Sequence, residues 1–359
     1  MHYAGRITPQ VGSYGSLAIA CCVACAAATT LSAAEQVMPK HITPAALKAV
    51  GAGLDYLARS QMADGSWSSD GGGEAYPVAM TGLCGMALMA NGNSTTRGRY
   101  APQVEKAVDY LLSCSTATGL ITGPGQESGR PMHGHGFALM FLSCAYGTET
   151  KPARRDKIKE VIEKGIKLTS EGQSVDGGWT YIPGGGDEGS VTVTQVQALR
   201  AAHNAGLHVP RGTITEAVNY IEMCSTPEGG ISYSLRNQSG PRLPISAAAV
   251  ATLYNAGQYD APVANRCLEY VWGNFKDSKT WSKPGGFAYY CQLYASQAFY
   301  MAGDEYWDKY FPATRDQLLG MQDKSEGSWS GDNVGKAYGT SIALIILQLP
   351  YKYLPVFQR

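Results

Sequence analysis

The sequence predicts an all-α fold: six helical hairpins closed into a ring, with one layer of helices inside another. Three observations carry this. A turn of the form Gln-x-x-x-Gly-x-Trp occurs at 61–67 and 173–179, with a copy one residue longer at 322–329. The turn glycines Gly65, Gly119, Gly177, Gly229, Gly285 and Gly327 are 42 to 58 residues apart. Each turn follows an amphipathic stretch and precedes an apolar one, and such fixed-period self-similarity marks a repeat architecture.

Taken in order, the first outer helix spans about 44–60, where Leu47, Val50, Leu54 and Leu57 share one face at helical spacing. After the turn, 78–90 is apolar or small all round, as a helix surrounded by others must be. The second repeat has an outer helix at 103–114, a turn that keeps Gly119 with leucine in place of tryptophan, and an inner helix at 137–146. The third has a charged outer helix at 154–170 and an inner one at 190–205. The fourth pairs 215–223 with 245–256, and the fifth pairs 263–275 with 292–301 through the turn at 284–287. The sixth pairs 310–321 with 339–349. A closed ring leaves no exposed end repeat. The turns have structural jobs: glycine permits the reversal, tryptophan offers an apolar face with one N–H donor, and glutamine can bond a neighbouring repeat.

Residues 1–34 stand apart, with Arg6 as their only charged side chain and an apolar run ending at Ser32, Ala33 and Ala34. They are expected to be a signal peptide cleaved near Ala34, so that the protein is exported to the periplasm, cell envelope or exterior and residues 35–359 form one domain. The alternative is an uncleaved segment that associates the protein with a membrane. Equal counts of 29 acidic and 29 basic residues argue against a nucleic-acid partner, since phosphate binding needs a basic surface. Six of the nine cysteines lie beyond residue 34. An even count permits disulfides in an exported protein, yet Cys84, Cys144 and Cys291 fall in or beside apolar helices, so free buried thiols are the expectation.

The turns at 61–67 and 173–179 resemble the Gln-Trp repeats of squalene and oxidosqualene cyclases. The wider resemblance, over about 44–350, is to the α/α-toroid superfamily, which includes protein prenyltransferase β subunits, and it implies the same toroid here. The activity motifs are missing. Neither the Asp-x-Asp-Asp acid of squalene–hopene cyclases nor the Asp-Cys-Thr-Ala-Glu string of oxidosqualene cyclases occurs, nor does the Asp-x-Cys zinc pair of prenyltransferases. No catalytic residue carries over, and neither cyclase nor prenyltransferase activity is expected.

In such a ring the loops before the inner helices surround one mouth. They carry Asp70, Glu74, His133, His135, Asp187, Glu188, Tyr233, Arg242, Tyr290, Asp332 and Tyr338. The helix N-termini there favour an anionic or hydroxyl-rich ligand. His133 and His135 suit acid–base chemistry, polar contact with a ligand or loop capping, but with no third ligand in sequence they assign no metal, and no cofactor is expected. His135 and Asp187 are the catalytic candidates. Asp187 and Glu188 either cap the helix that begins near Ser190 or contact a ligand. The tyrosines around Tyr290 either line a cavity or belong to the core. Three readings of function stay open: a toroid binding an unknown small molecule, lipid or glycan at its mouth; an enzyme on an isoprenoid or lipid in the central cavity; and a glycan-binding or glycan-cleaving toroid, with Arg130, Arg236 and Arg242 available to carboxylates.

Overall fold

The computed structural model describes residues 38–69, 75–275 and 287–358. The leader expected at 1–34, Asp70, Glu74 and most of the turn at 284–287 lie outside them. Twelve α-helices alternate in two layers. The outer helices are α1 (Pro44–Ser60), α3 (Ala101–Ser113), α5 (Pro152–Glu171), α7 (Arg211–Met223), α9 (Pro262–Phe275) and α11 (Asp304–Met321). The inner ones are α2 (Pro77–Met89), α4 (Met132–Tyr146), α6 (Gly189–Asn204), α8 (Leu243–Asn255), α10 (Ala288–Ala302) and α12 (Lys336–Gln348). The inner helices pack in the order α2, α4, α6, α8, α10, α12, and α12 returns to α2, so the ring is closed. Among the described residues there is no β-strand, and no helix is long and apolar enough to cross a membrane.

The layering follows from the side chains. In α2 every residue from Val78 to Met89 is buried, and in α12 every residue from Ala337 to Gln348. On α1 only one stripe is buried: Ala46, Ala49, Val50, Gly53, Leu54 and Leu57. Leu47, expected on that stripe, is 40% exposed. Outer helices dock mainly behind the preceding inner helix, as α3 does behind α2 and α1 behind α12.

The repeated turn is a joint between repeats. Gln61 Nε2 donates to Gly65 O and to Gln103 O of α3, both at 2.9 Å. Gln173 donates likewise to Gly177 O and to Thr213 O of α7. Gln322 donates to Gly327 O and to Ala49 O of α1, fastening the last repeat to the first. The glycine at the centre has φ of +94° at Gly65 and +88° at Gly177. A Cβ on Gly177 would also strike the Glu216 carbonyl of α7, so backbone conformation and close approach both demand glycine. Trp67, Trp179 and Trp329 are at most 1% exposed and donate Nε1–H to the carbonyls of Leu57, Thr169 and Leu318. In the second repeat the tryptophan position is held by Ile121 rather than by the expected Leu120.

Several helices start earlier than expected. Gly134 and Gly136 read as loop, yet α4 already begins at Met132. These glycines let neighbours approach closely: a Cβ on Gly136 would meet Thr194 of α6, and one on Gly134 the carboxylate of Glu127. His133, His135, Tyr290 and Tyr338 therefore lie in first helical turns rather than in loops. Helix α11 starts at Asp304 rather than at 310 and carries Pro312 within it. Beyond α12 the chain runs through Leu349–Tyr351 to Pro355–Phe357, which packs against α6 on the far side of the ring. There Leu354, Val356 and Phe357 are buried. All six cysteines among the described residues are free; Cys84, Cys224, Cys267 and Cys291 are buried, whereas Cys114 and Cys144 are partly exposed.

Candidate functional site

Each inner helix must satisfy the N–H groups of its first turn. Helix α6 does so with Glu188, its N-cap, whose carboxylate accepts from Ser190 N–H and Val191 N–H at 3.2 and 3.1 Å and from the Ser190 hydroxyl. Helix α2 borrows Glu127 from the next repeat, accepting from Val78 N–H at 2.9 Å and Ala79 N–H at 3.0 Å. Helix α10 borrows Asp332, whose Oδ1 accepts from Tyr289 N–H at 3.3 Å. Burial raises the carboxyl groups of Glu127 and Asp332 above their ordinary range, opposed by these backbone donors. Three acids thus stand at one rim, and Glu188 and Glu127 are 2% and 0% exposed.

Around Glu188 the loops bring a polar cluster together. The α6 start is tied to the next loop by Gly189 N–H donating to Tyr233 O, and the α4 start by Met132 N–H donating to Tyr181 O. These bonds hold the Tyr181 and Tyr233 hydroxyls 2.7 Å apart. Arg130 lies over the Tyr181 ring at 5.5 Å, and Arg242 over the Tyr233 ring at 4.7 Å. Both arginines are exposed, and neither makes an ion pair among the described residues. His133 Nε2 is 3.3 Å from Ser190 Oγ, and its ring is 5.9 Å from that of Tyr181. Burial lowers the basicity of His133, with Glu188 opposing. The Tyr290 hydroxyl donates to Ser190 O at 3.4 Å. Burial, Tyr181 and Glu188 together raise the Tyr233 phenol, so it stays protonated as a donor. The gradient runs from exposed arginines through half-buried Tyr181, Tyr233, His133 and Tyr290 to buried Glu188.

The other candidates fall elsewhere. His135 is fully buried; its Nδ1 accepts from Ile121 N–H at 3.1 Å and its Nε2 bonds Thr169 Oγ1 at 3.0 Å. Thr81, Thr192, Ser246 and Thr340 do the same job in other repeats, accepting the N–H of Trp67, Trp179, Ile231 and Trp329. With both nitrogens engaged in joining the turn to α5, His135 serves the fold and does not join the cluster. Asp187 does not cap α6; its Oδ2 accepts from Leu235 N–H at 2.9 Å and braces two loops. Tyr338 is buried in α12, coupled electrostatically to Asp332 and Tyr294. Arg236 is exposed. Among the described residues no three metal-ligating side chains are grouped.

Sequence reasoning missed Glu127, Tyr181 and Ser190. Tyr181 had a signal: it stands four residues past Gly177, as Tyr233 stands four past Gly229. Glu127 had none, because the helix it caps belongs to the preceding repeat.

No protein-family model and no curated sequence matches the chain. Solved structures do match its shape. A type II terpene cyclase from Scytonema is 12% identical with TM-score 0.57, covering 87% of this chain and 100% of its own. An α-1,6-mannanase of Salegentibacter sp. HEL1_6, solved as an inactive variant with α-1,6-mannotriose, is 9% identical with TM-score 0.57, covering 84% and 97%. A D-mannose isomerase is 12% identical with TM-score 0.61, covering 88% and 98%. The chain has the α/α-toroid fold. That fold serves isoprenoid and carbohydrate chemistry alike, so function rests on the site.

Proposed function

We propose that the toroid binds an acidic, hydroxyl-rich ligand, a uronate-bearing oligosaccharide, at the mouth around Glu188. The observation that carries this is the pair of exposed arginines stacked on two tyrosines whose hydroxyls meet in front of a buried carboxylate. Stacking leaves the guanidinium edges free to grip a carboxylate, which a planar fork does well. The tyrosine faces suit a sugar ring, while the Tyr181 and Tyr233 hydroxyls and His133, held in place around Glu188, offer donors and acceptors to its hydroxyls. Export, expected from residues 1–34, would place such a protein among extracellular glycans. The Scytonema and Salegentibacter proteins leave both chemistries open to the fold. An isoprenoid in the central cavity is disfavoured because Gln197 of α6 and Gln297 of α10, both buried, bond each other across the ring.

The test is an array of oligosaccharides with a parallel lipid extraction of the purified protein. Trimers of galacturonate or mannuronate should be retained over neutral mannotriose, less so at high salt, and Arg242→Ala should weaken binding about tenfold, as for a charged hydrogen bond. Equal retention of neutral and acidic sugars, or a co-purifying isoprenoid with no sugar bound, would overturn the reading.

A further inference from the structure

Helix α10 opens on Phe287, its N-cap, with φ +68° and ψ +31°. This is the left-handed region, where a bulky side chain crowds its own backbone. Among the described residues glycine takes most such positions, and α12 has Gly335 at its N-cap with φ +123°. Phe287 recovers little by burial: it is 63% exposed and belongs to neither buried cluster. Asp332, which accepts from Tyr289 N–H in the same turn, is left-handed as well, at φ +44°. Backbone strain of this kind gathers where a function holds it, and here it displays an aromatic ring to solvent.

Phe287 stands at the mouth. Glu188, Arg242 and Phe287 are the N-caps of three successive inner helices, α6, α8 and α10, and α8 packs against both of the others. Packed helices lie about 8–10 Å apart, a span that linked sugar units bridge. The first turn of α10 is also tied to the site directly, since Tyr290, three residues past Phe287, donates to Ser190 O. We infer that Phe287 is a specificity-determining residue of this mouth, whose exposed ring packs against the apolar face of one sugar unit while Arg242 takes the carboxylate of the next. This rests on the mouth being a saccharide site. A phenyl ring has neither donor nor acceptor, so it reads the C–H face of a sugar and excludes water beside it. Glycine there would relieve the backbone but read nothing.

Calorimetric titration of galacturonate and mannuronate trimers into the protein, Phe287→Gly and Phe287→Tyr tests this, alongside thermal melts of all three without ligand. Glycine removes both the ring and the strain; tyrosine keeps the aromatic face. Phe287→Gly should bind about tenfold more weakly, in the range of one lost aromatic contact, yet melt at the same temperature or higher. Phe287→Tyr should keep the affinity of the unmodified protein. Unchanged affinity in Phe287→Gly would overturn the role of Phe287 and leave the mouth reading standing. A lower melting temperature in Phe287→Gly would assign the ring to packing and overturn it equally. So would a Phe287→Tyr variant as weak as Phe287→Gly, because the aromatic face would then not be what the ligand meets. If the unmodified protein binds neither trimer, the saccharide reading itself falls, and the role of Phe287 with it.

Discussion

Gln197 on α6 donates through Nε2 to Gln297 Oε1 on α10 at 2.5 Å, joining two inner helices that are not neighbours in the ring. Both side chains are at most 1% exposed. Gln297→Leu should destabilise the protein by about 1–3 kcal/mol, because the Gln197 amide is left buried and unpaired. Replacing both by leucine should recover part of that loss. Urea denaturation of the single and double variants measures it, and a double variant worse than the sum of the singles would contradict the pairing.

Trp179 packs in one buried cluster with Met132 of the preceding repeat and Ala217 of the next, and its Nε1–H bonds Thr169 O of its own outer helix. Trp179→Ala should cost about 3–5 kcal/mol, the usual range for removing a large core side chain. An unchanged denaturation midpoint would show that the turn does not carry the joint.

His135 makes stability depend on pH. Burial lowers its pKa from 6.5 to about 4. Between these values the unfolded chain binds more protons than the folded one, so stability rises with pH across that window and is level above it. Going from neutral pH to about 4 should cost about 3 kcal/mol, at about 1.4 kcal/mol per pH unit. His135→Thr restores the side-chain type used by Thr81, Thr192 and Thr340 and should flatten that slope. Denaturation at a series of pH values reads it directly.

Purified protein incubated with squalene should yield no cyclised triterpene. The Asp-x-Asp-Asp acid is absent from the chain. The buried acids at the mouth are occupied with helix N-termini. Detection of hopene by mass spectrometry would refute this.

The layered ring was legible because burial on every side leaves a compositional mark: Val78 to Met89 contains no charged residue. The turns were legible because glycine and tryptophan have few substitutes there. Helix starts were less so, since Gly134 and Gly136 serve close packing and mimic a loop. The candidate site was legible in part. Glu188, Tyr233, Arg242, Tyr290 and His133 do gather, but His135 does not, because its neighbour Ile121 sits where a tryptophan stands in other repeats and a histidine takes over the threonine's bond. Capping across repeats, as by Glu127 and Asp332, leaves no local pattern at all.

The bond from Gln322 to Ala49 spans 273 residues of chain. During synthesis α1 emerges first, yet its docking surface on α12 and its fastening at Gln322 are made last. Until then the growing chain is an open arc with one hydrophobic flank uncovered at each end, a state prone to self-association. Such long-range closure slows folding, because loop entropy is lost before the contact is gained. The ring should therefore mature late and all at once, and a holding factor that shields α1 and the advancing edge would raise its yield more than any change to the turns.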